Sequence, residues 1–204
     1  IEPAKSDVYI RPKTNKAFFN LFNAVPTLNV MCSYFNDKGE PLDISPENIL
    51  RKARERLLRN TGVMLKVLCE LEFYVIAKQE TQTLFPSVPQ KNYHESAPFV
   101  KFEQLRNEAL AILATVGIPV KYGHTEVGVF EEDNRLIEQH EVEPQLEMPE
   151  NMADDVAIAK WAIRNVAAKH YAEVSFAPKI VLDQSGNGMH VHVYGMTNDE
   201  SIMT

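Results

Sequence analysis

From residue 63 to residue 76 the chain alternates with a period of two. Leu65, Val67, Cys69, Leu71, Phe73 and Val75 are apolar, and Glu70 and Glu72 share the opposite face. Such a run predicts a long strand with one face in a core. Three other stretches carry a helical period. Ile49, Ala53 and Leu57 recur every four residues beside Leu50 and Leu58; Ser45 suits the N-cap, Pro46 the first helical position, Glu47 the positive end of the dipole and Gly62 the stop. Phe102, Leu105, Ala109, Ile112, Leu113 and Val116 form a second helix, stopped by Gly117 and Pro119. Residues 153–171 form a third, with Asp154 and Asp155 at its start and Lys169 and His170 at its end; it is apolar on most sides and expected to be deeply buried. Shorter strands are predicted over 28–34, 120–127, 136–142 and 174–178, with an acidic, solvated turn at 131–135. Residues 1–27 show no period and are expected to be an irregular segment on a surface. Residues 78–99, with Pro86, Pro89 and Pro98, read as a loop long enough to carry function.

A length of 204 residues, 45% hydrophobic and 24% charged, fits one globular domain over 1–204, with no repeat or linker marking a second. The net charge of −7 argues against a nucleic-acid partner and suits a site that concentrates cations. No run is long and apolar enough for a membrane span, and no signal peptide is recognisable. Cys32 and Cys69, the two cysteines, both sit in apolar strand-like runs and read as reduced core residues of a cytoplasmic protein. The chain opens on Ile1 and closes on a polar tail, so it is expected to be a piece of something longer.

The chemistry collects around Ser185-Gly186-Asn187-Gly188-Met189-His190-Val191-His192, a glycine turn running into a strand. His190 and His192, two apart, point off one face, a geometry for gripping a metal or a phosphate. Glu70 and Glu72 face each other's charge on a hydrophobic strand, which a shared cation explains better than an open sheet face in solvent. Glu126 lies on the same strand face as His124, and Glu141 stands across the hairpin from it. Four carboxylates with imidazole suit Mg²⁺ or Mn²⁺ rather than zinc, and exceed what one Mg²⁺ takes from protein, so two ions are expected. No zincin spacing, Gly-Lys-Ser/Thr phosphate loop or dinucleotide fingerprint is present.

Taken in order, these motifs resemble those of the glutamine synthetases over nearly the whole chain. Glu70-Leu71-Glu72-Phe73 looks like that family's Glu-x-Glu-Phe strand, and His124-Thr125-Glu126-Val127 with Gln139-His140-Glu141 looks like its His-x-Glu-Val and Gln-x-Glu pair. Phe176-Ala177-Pro178-Lys179 followed by Gly186 to His192 looks like its Phe-Met-Pro-Lys and Gly-Ser-Gly-Met-His-x-His segment. The resemblance implies that Glu72, Glu126 and Glu141 hold one divalent ion, that Glu70 and His190 hold a second, and that two or three ions serve each site. It implies that His192 lies against ATP, and that Ser185, Gly186 and His190 lie at the substrate, L-glutamate. The implied reaction is ATP-dependent phosphorylation of glutamate followed by displacement of phosphate by ammonia. The implied assembly is a cytoplasmic homo-oligomer of stacked rings.

The expected fold is α+β: a strongly curved antiparallel sheet bearing the metal site on its concave face, with helices packed on the other. Against the family pattern, the Glu126-to-Glu141 spacing is lengthened by the acidic hairpin, which bears on whether Glu141 keeps its place. Ser185 stands where asparagine is usual, and Lys121 where many members carry an acidic residue. The family's later catalytic half, with its substrate arginines, and its small N-terminal β-grasp domain are not recognised among these 204 residues, so the chain is expected to be the first part of a catalytic domain, inactive alone. Two further readings are a γ-glutamyl ligase for another amine and a non-catalytic ring-forming homologue.

Overall fold

The structure is a computed structural model and describes residues 7–78, 84–198 and 200–202. These form two compact units. The first takes in the chain up to Val67, Glu147–Asp154 and Val193 onward; the second takes in Leu68–Leu146 and Asp155–His192.

In the first unit, strands β1 (Tyr9–Phe19) and β2 (Leu28–Phe35) pair antiparallel, Tyr9 opposite Phe35 and Phe19 opposite Leu28. The expectation of an irregular segment over residues 1–27 is therefore corrected. The strand escaped notice because nearly every side chain of β1 is exposed or half-exposed, so no apolar alternation marks it, and the register shifts between Pro12 and Ala17. Helix α1 (Pro46–Thr61) begins and ends where its punctuation predicts: Pro46 opens it and Gly62 closes it in the left-handed region at φ 73°, its N–H donating to the Leu58 carbonyl. Ser45 takes the cap position, but its hydroxyl makes no capping bond. Lys13 binds the unit together, its ammonium 2.7 Å from both Glu47 and Asp154, and Arg54 donates to both oxygens of Glu150 at 2.9 and 3.1 Å. Cys32 is only half-buried, so of the two cysteines Cys69 alone is a core residue.

The larger sheet is built on strands β3 (Met64–Lys78), β4 (Val120–Glu132), β5 (Arg135–Pro144), β6 (Glu173–Ser175) and β7 (Met189–Thr197), with β4, β5 and β6 wholly in the second unit. With the two-residue β8 (Glu200–Ser201) the sheet order is β4-β5-β3-β7-β8, and β6 pairs with β3. The sheet is the expected curved, antiparallel half-barrel, and the chain carries the three expected helices. On β3 Leu71, Phe73 and Val75 of the predicted core face are buried at 1% exposure or less, but Leu65 is only half-buried and Leu68, Glu72 and Tyr74 of the opposite face are buried as well. Helix α2 (Glu103–Thr115) lies against β4 and β5 and buries Leu105, Ala109 and Leu113. Helix α3 runs from Pro149 to Lys169, four residues earlier than expected, so Asp154 and Asp155 sit in its second turn rather than at its start. The Pro-Glu pair at 149–150 is the same opening signal as at 46–47. Ala159, Ala162, Ile163 and Val166 of α3 are fully buried, as its all-round apolar pattern predicts.

β4 and β5 continue past their predicted ends to meet at Asp133 and Asn134, both with positive φ, which gives the tight two-residue turn that a twisted hairpin prefers. Of the loop expected over 78–99, residues 79–83 lie outside the described residues. Its later part is not free of order: the N–H groups of Gln90, Asn92 and His94 donate to the carbonyls of Val129, Val127 and Thr125 along β4. Among the described residues no helix is long and apolar enough to cross a membrane.

Candidate metal and substrate site

Strand register brings the acidic residues together. In the β3–β5 ladder Glu72 is directly opposite Glu141, and Tyr74 opposite Gln139; in the β4–β5 ladder His124 is opposite Glu141. One transverse row of the sheet thus carries His124, Glu141 and Glu72. The next strand joins the row because the Glu72 N–H donates to the Gly188 carbonyl at 3.3 Å. Directly opposed like charges destabilise a ladder unless something shares them. The lengthened hairpin does not displace Glu141: the extra residues are taken up by the longer arms of β4 and β5 and the turn between them.

The glycine turn delivers its two histidines to Glu70. His190 Nδ1 is 2.9 Å from one carboxylate oxygen and His192 Nε2 is 2.7 Å from the other. The two imidazoles do share a face, as their spacing predicts. Gly188 leaves room for both, since a Cβ would lie 2.6 Å from Glu72 Oε1 and 2.9 Å from His190 Nε2, and one of those side chains would have to move. His124 Nε2 is 3.0 Å from Glu141 Oε1, and its Nδ1 is 3.7 Å from Glu126 Oε1. The expected residues Glu70, Glu72, Glu126, Glu141, His190 and His192 therefore converge. The Gly186 carbonyl accepts a bond from Gln139, and Ser185 donates its hydroxyl to Gln90, so both expected substrate residues are held by protein groups.

The electrostatics of the cluster follow from burial. Glu72 and Glu141 are 8% and 4% exposed. Burial, then the charges of Glu70, Glu126, Glu143 and Glu72, push the Glu141 carboxyl up to about 8. Burial and the neighbouring Glu72 and Glu70 also raise Glu126, against the opposing Val127 N–H and His124. Burial acts to raise Glu70 too, but its bonds with His190 and His192 win and leave it below the ordinary carboxylate range. His190 is raised by its bond to Glu70. A protein face that holds several carboxylates with one of them forced to keep its proton near neutrality has the donor chemistry of a hard divalent cation: oxygen-rich, with imidazole at its margin. The residues present fit Mg²⁺ or Mn²⁺.

Further residues in and around the site carry no expected role. Glu143, 1% exposed, continues the 139-141-143 alternation of β5, and its ligand atom lies with those of His124 and Glu141 within 4.8 Å of one another. It went unseen because the strand was expected to stop at 142. Glu143 is already answered by Lys121, whose ammonium is 2.7 Å away, and it accepts a bond from Tyr122, which is thereby raised to about 12. Lys121, an anomaly against the family pattern, is thus the partner of a buried acid. Gln139 is 1% exposed and donates to Glu72. Its neighbour His140 points the other way, fully buried and 2.9 Å from Glu138 Oε1.

The family model described as "Glutamine synthetase, catalytic domain" matches residues 43–203. Among curated relatives, glutamine synthetase of Aquifex aeolicus is 29% identical, with 97% of this chain and 46% of that protein covered. Glutamine synthetase of Thermus thermophilus is 25% identical over 93% of this chain and 42% of its own length. A 3-hydroxylaminophenol mutase of Cupriavidus pinatubonensis is 28% identical over 92% and 44%. This chain therefore spans less than half the length of these relatives. Among solved structures, the cryo-EM structure of Plasmodium falciparum glutamine synthetase matches with a TM-score of 0.85 at 19% identity, covering 99% of this chain and 44% of that one. That of GmaS without ligand matches with a TM-score of 0.80, also at 19% identity. The fold is the same in each, and with the family match over residues 43–203 the chain belongs to the glutamine synthetase catalytic-domain family.

Proposed function

We propose that the protein carrying this chain is an ATP-dependent glutamate–ammonia ligase. L-glutamate would be phosphorylated on its side-chain carboxylate, with ADP leaving, and ammonia would then displace phosphate to give glutamine. The activity is assigned to the whole protein, a cytoplasmic homo-oligomer of stacked rings, and not to residues 1–204 alone. The observation that carries the reading is the convergence of Glu70, Glu72, Glu126, Glu141 and His190 within a chain of this family.

In this reading Glu72, Glu126 and Glu141 hold one Mg²⁺ or Mn²⁺, and Glu70 and His190 hold another. Bound there, the ions would neutralise charge on the phosphates during transfer. The carboxylates orient the site through the sheet itself: Glu72 and Glu141 are fixed by ladder register, so their spacing does not depend on a mobile loop. His192 sits at the nucleotide side. Ser185, Gly186 and His190 sit at the glutamate, on the turn and the start of β7, held by bonds to Gln90, Gln139 and Glu70. The direct test is the Glu72→Ala variant of the full-length protein. ATP-dependent glutamine formation is expected to be lost, and unimpaired turnover would refute the assignment.

A second reading is favoured by the Ser185–Gln90 bond and the Lys121–Glu143 pair, both departures from the family pattern: a γ-glutamyl ligase for another amine. A screen of amines against the full-length enzyme separates the two. A large preference for ammonia ends the second reading.

A further inference from the structure

We propose that Gln139 is a positioning residue that locks the glycine turn to the metal-side carboxylate, with Tyr74 as a second clasp on the same turn. The inference rests on the ligase reading above for its functional consequence, but its structural content stands apart from it.

Gln139 sits on β5, opposite Tyr74 of β3. Its Nε2 lies 2.8 Å from Glu72 Oε2, 2.8 Å from the Gly186 carbonyl and 3.1 Å from Asn187 Oδ1. Its Oε1 accepts the Gly128 N–H at 3.1 Å. The orientation of the amide is forced: a backbone N–H needs the oxygen, and a carboxylate and a carbonyl need the nitrogen. One buried side chain therefore spans β4, the ion-side Glu72 and the turn that holds Ser185 and Gly186. Asn187 completes the link, donating Nδ2 to the Ser175 and Ala177 carbonyls. Tyr74 donates its hydroxyl to the Ser185 carbonyl at 2.7 Å.

The packing around the pair is built for this contact. A Cβ on Gly128 would come within 2.0 Å of the Tyr74 hydroxyl oxygen and 2.7 Å of Gln139 Oε1, so only glycine lets both side chains pass. A Cβ on Gly186 would lie 2.5 Å from the Pro178 carbonyl oxygen. No net charge is involved in the Gln139 link, which suits a residue that must sit among carboxylates without competing for the cation. Partners that orient ligands in this way are worth about 10–100-fold in metal affinity or activity.

The test uses the full-length protein with Gln139→Met, which keeps side-chain length and loses both the donor and the acceptor, and Tyr74→Phe, which loses only the hydroxyl. In the metal-free protein, backbone amides of residues 186–188 in the methionine variant are expected to exchange about tenfold faster, with α2 unchanged. The KM for glutamate is expected to rise about tenfold with a smaller change in kcat, a split that a general loss of stability does not produce. If the methionine variant does not fold, Tyr74→Phe carries the same exchange test around Ser185. Unchanged exchange in the turn overturns the inference, whatever the activity. Faster exchange in a protein whose wild type makes no glutamine leaves the positioning role standing and removes the ligase reading.

Discussion

Glu141 is the residue in greatest electrostatic difficulty. It is buried, faces Glu72 across the ladder, and has the charges of Glu70, Glu126 and Glu143 around it. Its folded-state carboxyl titrates at about 8, against 4.5 for the ordinary group. A carboxyl raised on folding makes the folded state bind more protons than the unfolded one, so stability falls as pH rises from about 4.5 to about 8 and levels off above. The melting temperature of the metal-free protein should therefore drop over that window. If Glu141 holds the ion as proposed, Mn²⁺ binding expels the same proton, so its affinity should rise with pH through the same window, read as a larger thermal shift at pH 8 than at pH 6. A Glu141→Gln variant should flatten the metal-free profile. At this scale the sequence was informative wherever two residues share a strand face: Glu70 with Glu72, and His190 with His192. It was silent on Glu143, which lies just beyond the expected strand end, and it marked Gln139 only as part of a motif, since that residue's task is legible only once the turn is seen folded onto it.

Among the elements, α2 depends on β5 in a way no helical period reveals. The segment that leads into it is held by a side chain of that strand: Glu138 accepts the N–H groups of Lys101 and Phe102, just ahead of the helix, each at 3.0 Å. His140 and Arg106 complete a buried network with it, Arg106 Nη1 being 3.4 Å from His140 Nδ1. Burial acts to raise Glu138, but His140 and the two N–H groups more than offset it and hold the carboxyl low. Glu138→Ala would leave these donors unanswered in the core and should cost about 3 kcal/mol or more in urea unfolding. Gly128→Ala, forced against the Tyr74 hydroxyl, should cost about 1–3 kcal/mol by the same measurement. The helices and the long strand β3 were legible because burial of one face imposes a period. β1 was not, since an exposed strand has no face to mark, nor was the 90–94 segment, whose order comes from backbone bonds to β4.

For the whole molecule, family membership rests on the match over residues 43–203, while the chain spans less than half the length of relatives such as that of Aquifex aeolicus. Relatives that include a 3-hydroxylaminophenol mutase show that one fold hosts more than one reaction, so the reaction must be read from the site. The account turns on divalent ions being what reconciles the crowded carboxylates. Its most direct test is Mn²⁺ titration of the full-length protein followed by thermal unfolding, beside Glu72→Ala. A stabilisation of about 2.7 kcal/mol is expected for the wild type at free Mn²⁺ a hundredfold above Kd, with the shift largely lost in the variant. An unchanged melting temperature in the wild type, or an equal shift in both proteins, would contradict it.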